Sequence, residues 1–226
     1  KLDYIRGGSS QVEVEAIVPD ATGVAYAQVA PPEPRPLPAS APPPPRDEIA
    51  DIAKKLAEHG VLRACVPASV GGIKSRDDSQ IDVRAVCLVR EALGWSSGLA
   101  DTVFAMQGLG SYPIVLAGNE AQKREFLPKV LSGESLAAFA ITEHEAGSDV
   151  ASLETTARRD GDHWVLDGTK TFISNAGLAG HYVVFANADR ALGRKGITAF
   201  IVKPDDPGFV FEGAIPMMAD HPIGSI

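Results

Sequence analysis

The chain has 226 residues, 45% of them hydrophobic, and a formal net charge of −8 at pH 7. This length allows one large domain or two smaller ones with a substantial core. The negative charge argues against nucleic acid or an anionic membrane surface as the main partner. Cys65 and Cys87 form no C-x-x-C pair, and no apolar run is long enough to span a bilayer. These features predict a cytoplasmic protein with reduced thiols.

The first part of the chain divides at a proline tract. Residues 30–45 are rich in proline, which excludes a helix or a central strand and predicts an extended linker. The segment before this tract covers residues 1–29.

Residues 46–132 carry the periodicity of amphipathic helices. The first helix is expected to start at Asp47 and to end at Gly60. Asn119 and Gln122 have the spacing of a capping box that opens the last helix. Further helices are predicted at residues 81–93, 99–107 and 112–117. We assign their apolar positions to the core.

After residue 132 the hydrophobic period changes to two, which predicts short strands. Asp-Gly pairs at 160–161 and 167–168 predict hairpin turns, because glycine accepts the positive φ that such turns need. Strands at this spacing indicate an antiparallel barrel or a sandwich. The predicted strands are residues 136–141, 153–158, 164–166, 169–173, 182–186, 197–202 and 209–212.

One stretch in this part, residues 139–152, combines a buried strand with a polar loop. Gly147 is able to take a positive φ, and the hydroxyls of Thr142 and Ser148 would face a docked ligand. Backbone donors in such a loop suit an anionic or heteroaromatic ligand. On composition alone, an ordinary Gly-Ser turn capped by Asp149 is the simpler interpretation.

A second stretch, Gly168-Thr-Lys-Thr-Phe-Ile-Ser-Asn-Ala-Gly177, favours the ligand-binding interpretation. Phe172 and Ser174 are alternate residues of a predicted strand, so both side chains are expected on one surface. Together with residues 140–149, this stretch resembles the flavin-binding signatures of the acyl-CoA dehydrogenase family. Residues 118–128 are also typical of that family. The segment at residues 4–17 resembles its C-terminal end, which would make the chain part of a tandem arrangement. The resemblance implies that the last helix of the family opens here near residues 11–18, with Ser9 or Ser10 as its cap.

The resemblance implies an α+β protein: an N-terminal all-α helical bundle at 46–132, then an antiparallel β-barrel domain at 133–226. The C-terminal helical domain of the family would be missing. FAD is the implied cofactor. In the family, the Phe172 position packs on the flavin, and the Ser174 position, usually Thr, binds near the hydride-accepting nitrogen. Ser148 would contact the pyrophosphate and lie near the acyl-CoA. The implied flavin contacts are Phe139, Ala140, Ile141, Thr142, Gly147, Ser148, Phe172, Ile173 and Ser174.

The implied reaction is α,β-dehydrogenation of an acyl-CoA thioester, with an electron-transfer flavoprotein as a possible acceptor and an oligomer as the full-length state. The family's catalytic base is a glutamate in its C-terminal domain, or in the tail at the position of Gly7, so no catalytic residue is assigned. The alternative is a non-catalytic flavin-holding or structural half. An oxidase on the same scaffold is a third possibility.

Other chemistries find less support in the sequence. Glu143-His144-Glu145 lacks the second histidine of an H-E-x-x-H zinc site, and no metal ligand is assigned. No G-x-G-x-x-G follows a predicted strand, so a Rossmann site is unsupported. The remaining histidines are expected at the surface or in turns: His59, His163, His181 and His221.

Overall fold

A computed structural model describes residues 14–19, 25–29, 46–219 and 221–226, and the chain divides into two compact units at residue 38. The first unit contains an antiparallel pair, β1 (Val14–Pro19) and β2 (Ala25–Val29). The helix predicted near residues 11–18 is therefore wrong for residues 14–18. Valine alternates with glutamate from residue 12 to 15, and this period of two favours a strand over a helix. The predicted linker at 30–45 lies outside the described residues.

Four α-helices open the second unit: α1 (Arg46–Glu58), α2 (Val83–Ser96), α3 (Gly98–Ala117) and α4 (Glu120–Leu131). The predicted capping box is confirmed: Asn119 and Gln122 exchange side-chain and backbone hydrogen bonds, both of 2.9 Å. The two helices predicted at 99–107 and 112–117 are a single helix, α3, which continues through Pro113. A buried cluster that includes Ile49, Leu62 and Phe104 joins α1, a 3₁₀ turn and α3.

The strands that follow form two sheets. In the larger sheet, β7 (His181–Asn187) lies between β3 (Ala137–Ala140), which runs parallel to it, and antiparallel β8 (Ile197–Val202). A hairpin of β4 (Thr156–Asp160) and β5 (His163–Asp167) joins the end of β7. The smaller sheet contains β6 (Ile173–Ser174), β10 (Ile223–Ser225) and β9 (Gly213–Ala214), in that order.

The α+β class is confirmed, but the incomplete antiparallel barrel predicted at 133–226 is not supported, because no closed barrel is found among the described residues of this range. They form two separate sheets, and the β3–β7 pair is parallel. A parallel pair needs a crossover of a dozen or more residues, and residues 141–180 provide it. A hydrophobic period of two reports only that a strand has a buried face. It cannot distinguish parallel from antiparallel neighbours or one sheet from two.

Among the other local predictions, one turn is confirmed, whereas a second turn and two stretches predicted as strands are wrong. The Asp160–Gly161 turn is confirmed, with Gly161 at φ 59°. The turn at 167–168 is not a hairpin, because the chain leaves β5 and Lys170 exchanges backbone hydrogen bonds with Ile226 instead. Residues 169–172 and 209–212 are not strands, although polar–apolar alternation predicted them.

Helix α3 fixes the position of β3, the strand that leads into the first sequence motif. Gly110 lies against the strand so closely that a Cβ there would be 2.6 Å from the Cβ of Ala137. The buried Gln107 side chain donates to the carbonyls of Val130 and Ser135 and accepts a 2.8 Å hydrogen bond from the Ala137 amide. Within the described residues, no helix is long and apolar enough to cross a membrane.

Candidate functional site

The two sequence motifs, residues 139–152 and 168–177, lie side by side. The first runs out of β3 into its loop, and the second passes that loop before it enters β6. Hydrogen bonds join the β3 segment and its loop to the second motif, including Asn175 Nδ2 to Ala137 O at 2.9 Å, Lys170 Nζ to Ile141 O at 3.2 Å and Thr171 N to Thr142 O at 2.9 Å. Residues far apart in sequence therefore form one continuous surface.

Beneath this surface, Glu143 and Lys170 form a buried ion pair. Their side chains are 7% and 2% exposed, and Lys170 Nζ lies 2.7 Å from Glu143 Oε1. The carboxylate also accepts hydrogen bonds from the Thr155 hydroxyl and amide and, at 2.6 Å, from the Glu154 amide. Burial alone would raise the pKa of Glu143, but these donors outweigh it and lower the pKa to about 2. This buried ion pair holds the start of the loop of the first motif in position.

Phe172 is the most unusual residue of the second motif. It has a φ of 56°, a value that is an outlier for a bulky side chain, and its ring is 55% exposed. The prediction that Phe172 and Ser174 alternate on one strand is wrong, because β6 begins only at Ile173. Backbone hydrogen bonds of Lys170 and Thr171 hold the preceding residues in place. Strained backbone of this kind is concentrated at ligand sites.

The loop of the first motif is open to solvent. Gly147 and Ser148 are exposed, and no atom lies within 4 Å of where a Gly147 Cβ would be. Gly147 does not take the expected positive φ, so its contribution is space for close approach. The hydroxyls of Thr142 and Ser148 make no hydrogen bond within the described part of the chain, which leaves both available to a ligand.

The other predicted contact residues are less accessible. Ala140 is fully buried and Ile173 is 1% exposed, so neither residue presents surface to a ligand. The Phe139 ring packs on Phe185 with centroids 4.8 Å apart. Ile141 is half-buried, and its carbonyl is already engaged by Lys170.

Ser174 has a partner that the sequence did not suggest. Its Oγ lies 2.8 Å from Nε2 of His221, a half-buried side chain that we had expected at the surface or in a turn. The same expectation is wrong for His181, which lies in β7 and is 1% exposed. The contact of His221 depends on the pairing of β6 with β10, which joins residues distant in sequence.

A cavity of about 680 Å³ lies in the β-rich part and reaches the second motif at Gly168 and Lys170. Its lining includes Trp164, Val184, Phe209 and the buried Lys170. It contains neither the exposed loop of the first motif nor Phe172 or Ser174. The cavity therefore borders the second motif, but the predicted flavin contacts lie outside it.

Comparisons with known proteins agree with the motifs. The family profile described as "Acyl-CoA dehydrogenase, N-terminal domain" matches residues 29–134, and "Acyl-CoA dehydrogenase, middle domain" matches residues 138–224. The second match contains both motifs and His221.

Curated relatives include an acyl-CoA dehydrogenase of Bacillus subtilis, 37% identical over 70% of this chain and 40% of its own length. A probable acyl-CoA dehydrogenase of Mycobacterium bovis is 41% identical over 68% of this chain and 38% of its own. A 3-(aryl)acrylate reductase of Clostridium sporogenes is 37% identical over 71% of this chain and 41% of its own. The chain thus spans about two fifths of the length of these relatives.

Solved structures give the same result. An acyl-CoA dehydrogenase from Bacillus anthracis complexed with FAD has a TM-score of 0.67 and 33% identity, over 79% of this chain and 30% of its own. A glutaryl-coenzyme A dehydrogenase in complex with glutaryl-CoA has a TM-score of 0.69 and 29% identity, over 80% of this chain and 51% of its own. With both family profiles matched over most of its length, the chain belongs to the acyl-CoA dehydrogenase family.

Proposed function

We propose that this chain provides one wall of the flavin site of an FAD-dependent acyl-CoA dehydrogenase, which introduces an α,β double bond into an acyl-CoA thioester. Family membership supports the reaction class. The structure of the Bacillus anthracis relative with FAD supports the cofactor, and the glutaryl-CoA complex supports a thioester substrate. A cytoplasmic location is part of the proposal and rests on the sequence alone.

The observation that carries the proposal is the exposed ring of Phe172 beside the loop of the first motif. A flavin ring needs an apolar wall for one face and donors along its polar edge. Phe172 offers the wall at a strained, well-anchored position. Thr142 and Ser148 offer hydroxyl groups, and the open space at Gly147 lets a ligand approach the backbone. The residues present therefore fit FAD.

Each side chain has a distinct task in this proposal. Phe172 packs on the flavin ring, and Ser174 donates a hydrogen bond to it. Ser148 contacts the pyrophosphate and borders the acyl-CoA. FAD, when bound, supplies the oxidising power by accepting the hydride that leaves the substrate β-carbon. The buried pair of Glu143 and Lys170 keeps the loop in position.

The base that removes the substrate α-proton is not assigned to any residue of this chain. Apolar side chains exposed on α2 support the involvement of further protein: Trp95 is 91% exposed, Val83 67% and Leu88 66%. We propose that additional protein covers these side chains in the working enzyme and that the enzyme is an oligomer. A structural neighbour solved as an electron transferring flavoprotein of Acidaminococcus fermentans (TM-score 0.65) supports that class of electron acceptor.

The flavin proposal is tested by titrating FAD into the purified chain and following the flavin fluorescence. We expect weak binding, because the chain supplies one wall of the site. Phe172→Ala should weaken binding by about 10-fold or more, since the apolar contact with the ring is lost. Trp164→Ala is the matched control, because Trp164 is also exposed (41%) but lies on β5 outside both motifs. Equal effects of the two substitutions would contradict the proposal.

The catalytic part of the proposal has a separate test. The chain is mixed with FAD and an acyl-CoA without oxygen, and the flavin absorbance is followed. We expect no bleaching, because proton removal by a positioned carboxylate contributes roughly 10²–10⁴ in rate. Rapid bleaching would show that a residue of this chain is the base. The alternative of a non-catalytic half is not favoured, because the curated relatives described above are named as dehydrogenases or as a reductase.

A further inference from the structure

The contact between Ser174 and His221 is held from both sides by backbone structure. Ser174 pairs with Ile223 in the β6–β10 ladder, and the Asn175 amide donates a 2.7 Å hydrogen bond to the Pro222 carbonyl. His221 therefore lies beside Ser174 because of strand pairing. The side-chain hydrogen bond of 2.8 Å between Ser174 Oγ and His221 Nε2 forms on top of that framework.

This hydrogen bond has two possible directions with opposite consequences for a ligand. A serine hydroxyl carries one hydrogen and can also accept. Burial lowers the pKa of His221, so its ring is neutral at neutral pH and only one ring nitrogen carries a hydrogen. If Ser174 donates to Nε2, it has no hydrogen left for a ligand. If Nε2–H donates to Oγ, the hydroxyl hydrogen remains free.

We propose that His221 is a positioning residue for Ser174: its Nε2–H donates to Ser174 Oγ and leaves the hydroxyl hydrogen free to donate to the bound flavin ring. The inference rests on the proposed function. Nδ1 of His221 has no acceptor among the residues that the structure describes, whereas Nε2 has one in Ser174. A hydrogen on Nε2 therefore satisfies the ring and also orients the serine. His221 acts only through Ser174 and does not itself touch the flavin.

The first test reads the tautomer without FAD. Nitrogen-15 NMR of the histidine-labelled chain at neutral pH distinguishes a ring protonated on Nε2 from one protonated on Nδ1, and His221→Gln identifies the signal by its loss. We expect the Nε2–H form. An Nδ1–H form would mean that Ser174 donates to the histidine, which overturns the proposal.

The second test measures FAD affinity by fluorescence titration in a double-mutant cycle. His221→Phe keeps a ring but removes the donor, and it should weaken FAD binding roughly 2- to 10-fold, the range of one hydrogen bond. His221→Gln keeps an N–H donor and should restore most of the affinity. In a Ser174→Ala background, His221→Phe should have no further effect. An undiminished effect in that background would show that His221 acts by packing alone and would refute the inference.

Circular dichroism of each variant verifies that the fold is intact, and the tautomer measurement decides the question if His221→Phe does not fold. The proposed function and the inference about His221 are contradicted by different results. An absence of FAD binding by the wild-type chain overturns the proposed function and, with it, the inference. The Nδ1–H tautomer, or an effect of His221 that is independent of Ser174, overturns the inference alone.

Discussion

Replacing Lys170 by methionine removes the ammonium group that lies 2.7 Å from Glu143 Oε1 and keeps a side chain of similar length. The Glu143 carboxylate would then be buried without its cation. Breaking a buried ion pair by removing one partner costs about 3–5 kcal/mol, because the remaining charge is uncompensated. We expect Lys170→Met to reduce the free energy of unfolding by that amount and to loosen the loop of the first motif.

The acid dependence of stability measures how strongly the fold favours the ionised Glu143 carboxylate, through Lys170 together with the Thr155 and Glu154 donors. The folded-state pKa of Glu143 is lowered from the ordinary value of 4.5 to about 2. A lowered carboxyl pKa stabilises the fold above the unfolded-state value, and this stabilisation is lost as the pH falls through the folded-state value. The difference corresponds to about 3 kcal/mol. The stability of wild type relative to Glu143→Gln should therefore fall by about 3 kcal/mol between about pH 4.5 and pH 2.

The assay is urea denaturation of wild type and variants, followed by circular dichroism and repeated over this pH range. The matched control is Lys55→Met. Lys55 Nζ lies 2.6 Å from Asp51, but the two side chains are 65% and 58% exposed, so solvent screens the pair and its loss should change stability far less than the loss of Lys170. Equal costs for the two substitutions, or an acid transition that Glu143→Gln leaves unchanged, would refute the argument that burial makes the Glu143–Lys170 pair strong.

Three further predictions concern other parts of the fold. Gln107→Leu should lower the free energy of unfolding by at least about 1–3 kcal/mol in urea denaturation, because it leaves buried backbone groups unpaired. Gly133→Ala should cost about 1–3 kcal/mol by the same measurement, since Gly133 has a φ of 68° and its Cβ would lie 2.6 Å from the Ala53 carbonyl oxygen. A thiol reagent should modify exposed Cys87 in the native chain, whereas Cys65, whose thiol pKa burial raises to about 12, should react only after unfolding.

The sequence predicted features that depend on neighbouring residues. The capping box at Asn119, the Gly161 turn and most helix and strand positions follow from spacings of two to four residues, and the structure contains them. The fold class also follows from these periods. The sheet arrangement does not, because strand order and direction depend on pairings such as Ala137 with His181, which periodicity cannot specify.

The candidate site also combines features that neighbouring residues determine with features that depend on distant pairings. The motifs identified Phe172 and Ser174, but the reason given for their shared accessibility was wrong, since Phe172 takes a left-handed backbone conformation outside any strand. That conformation persists because Lys170 and its neighbours are held by distant groups, including the carbonyl of Ile226.

Glu143 and Lys170 were present in the two motifs from the start, yet no spacing rule connects residues 27 positions apart. Their pairing becomes visible only when β3 and the second motif are placed side by side. The His221 contact arises in the same way, across 47 positions. Residues that would touch a flavin lie within short motifs and can be recognised there. The residues that orient them are brought together by tertiary pairing. The sequence alone therefore indicates the residues proposed to contact the flavin, but not the residues that hold them in position.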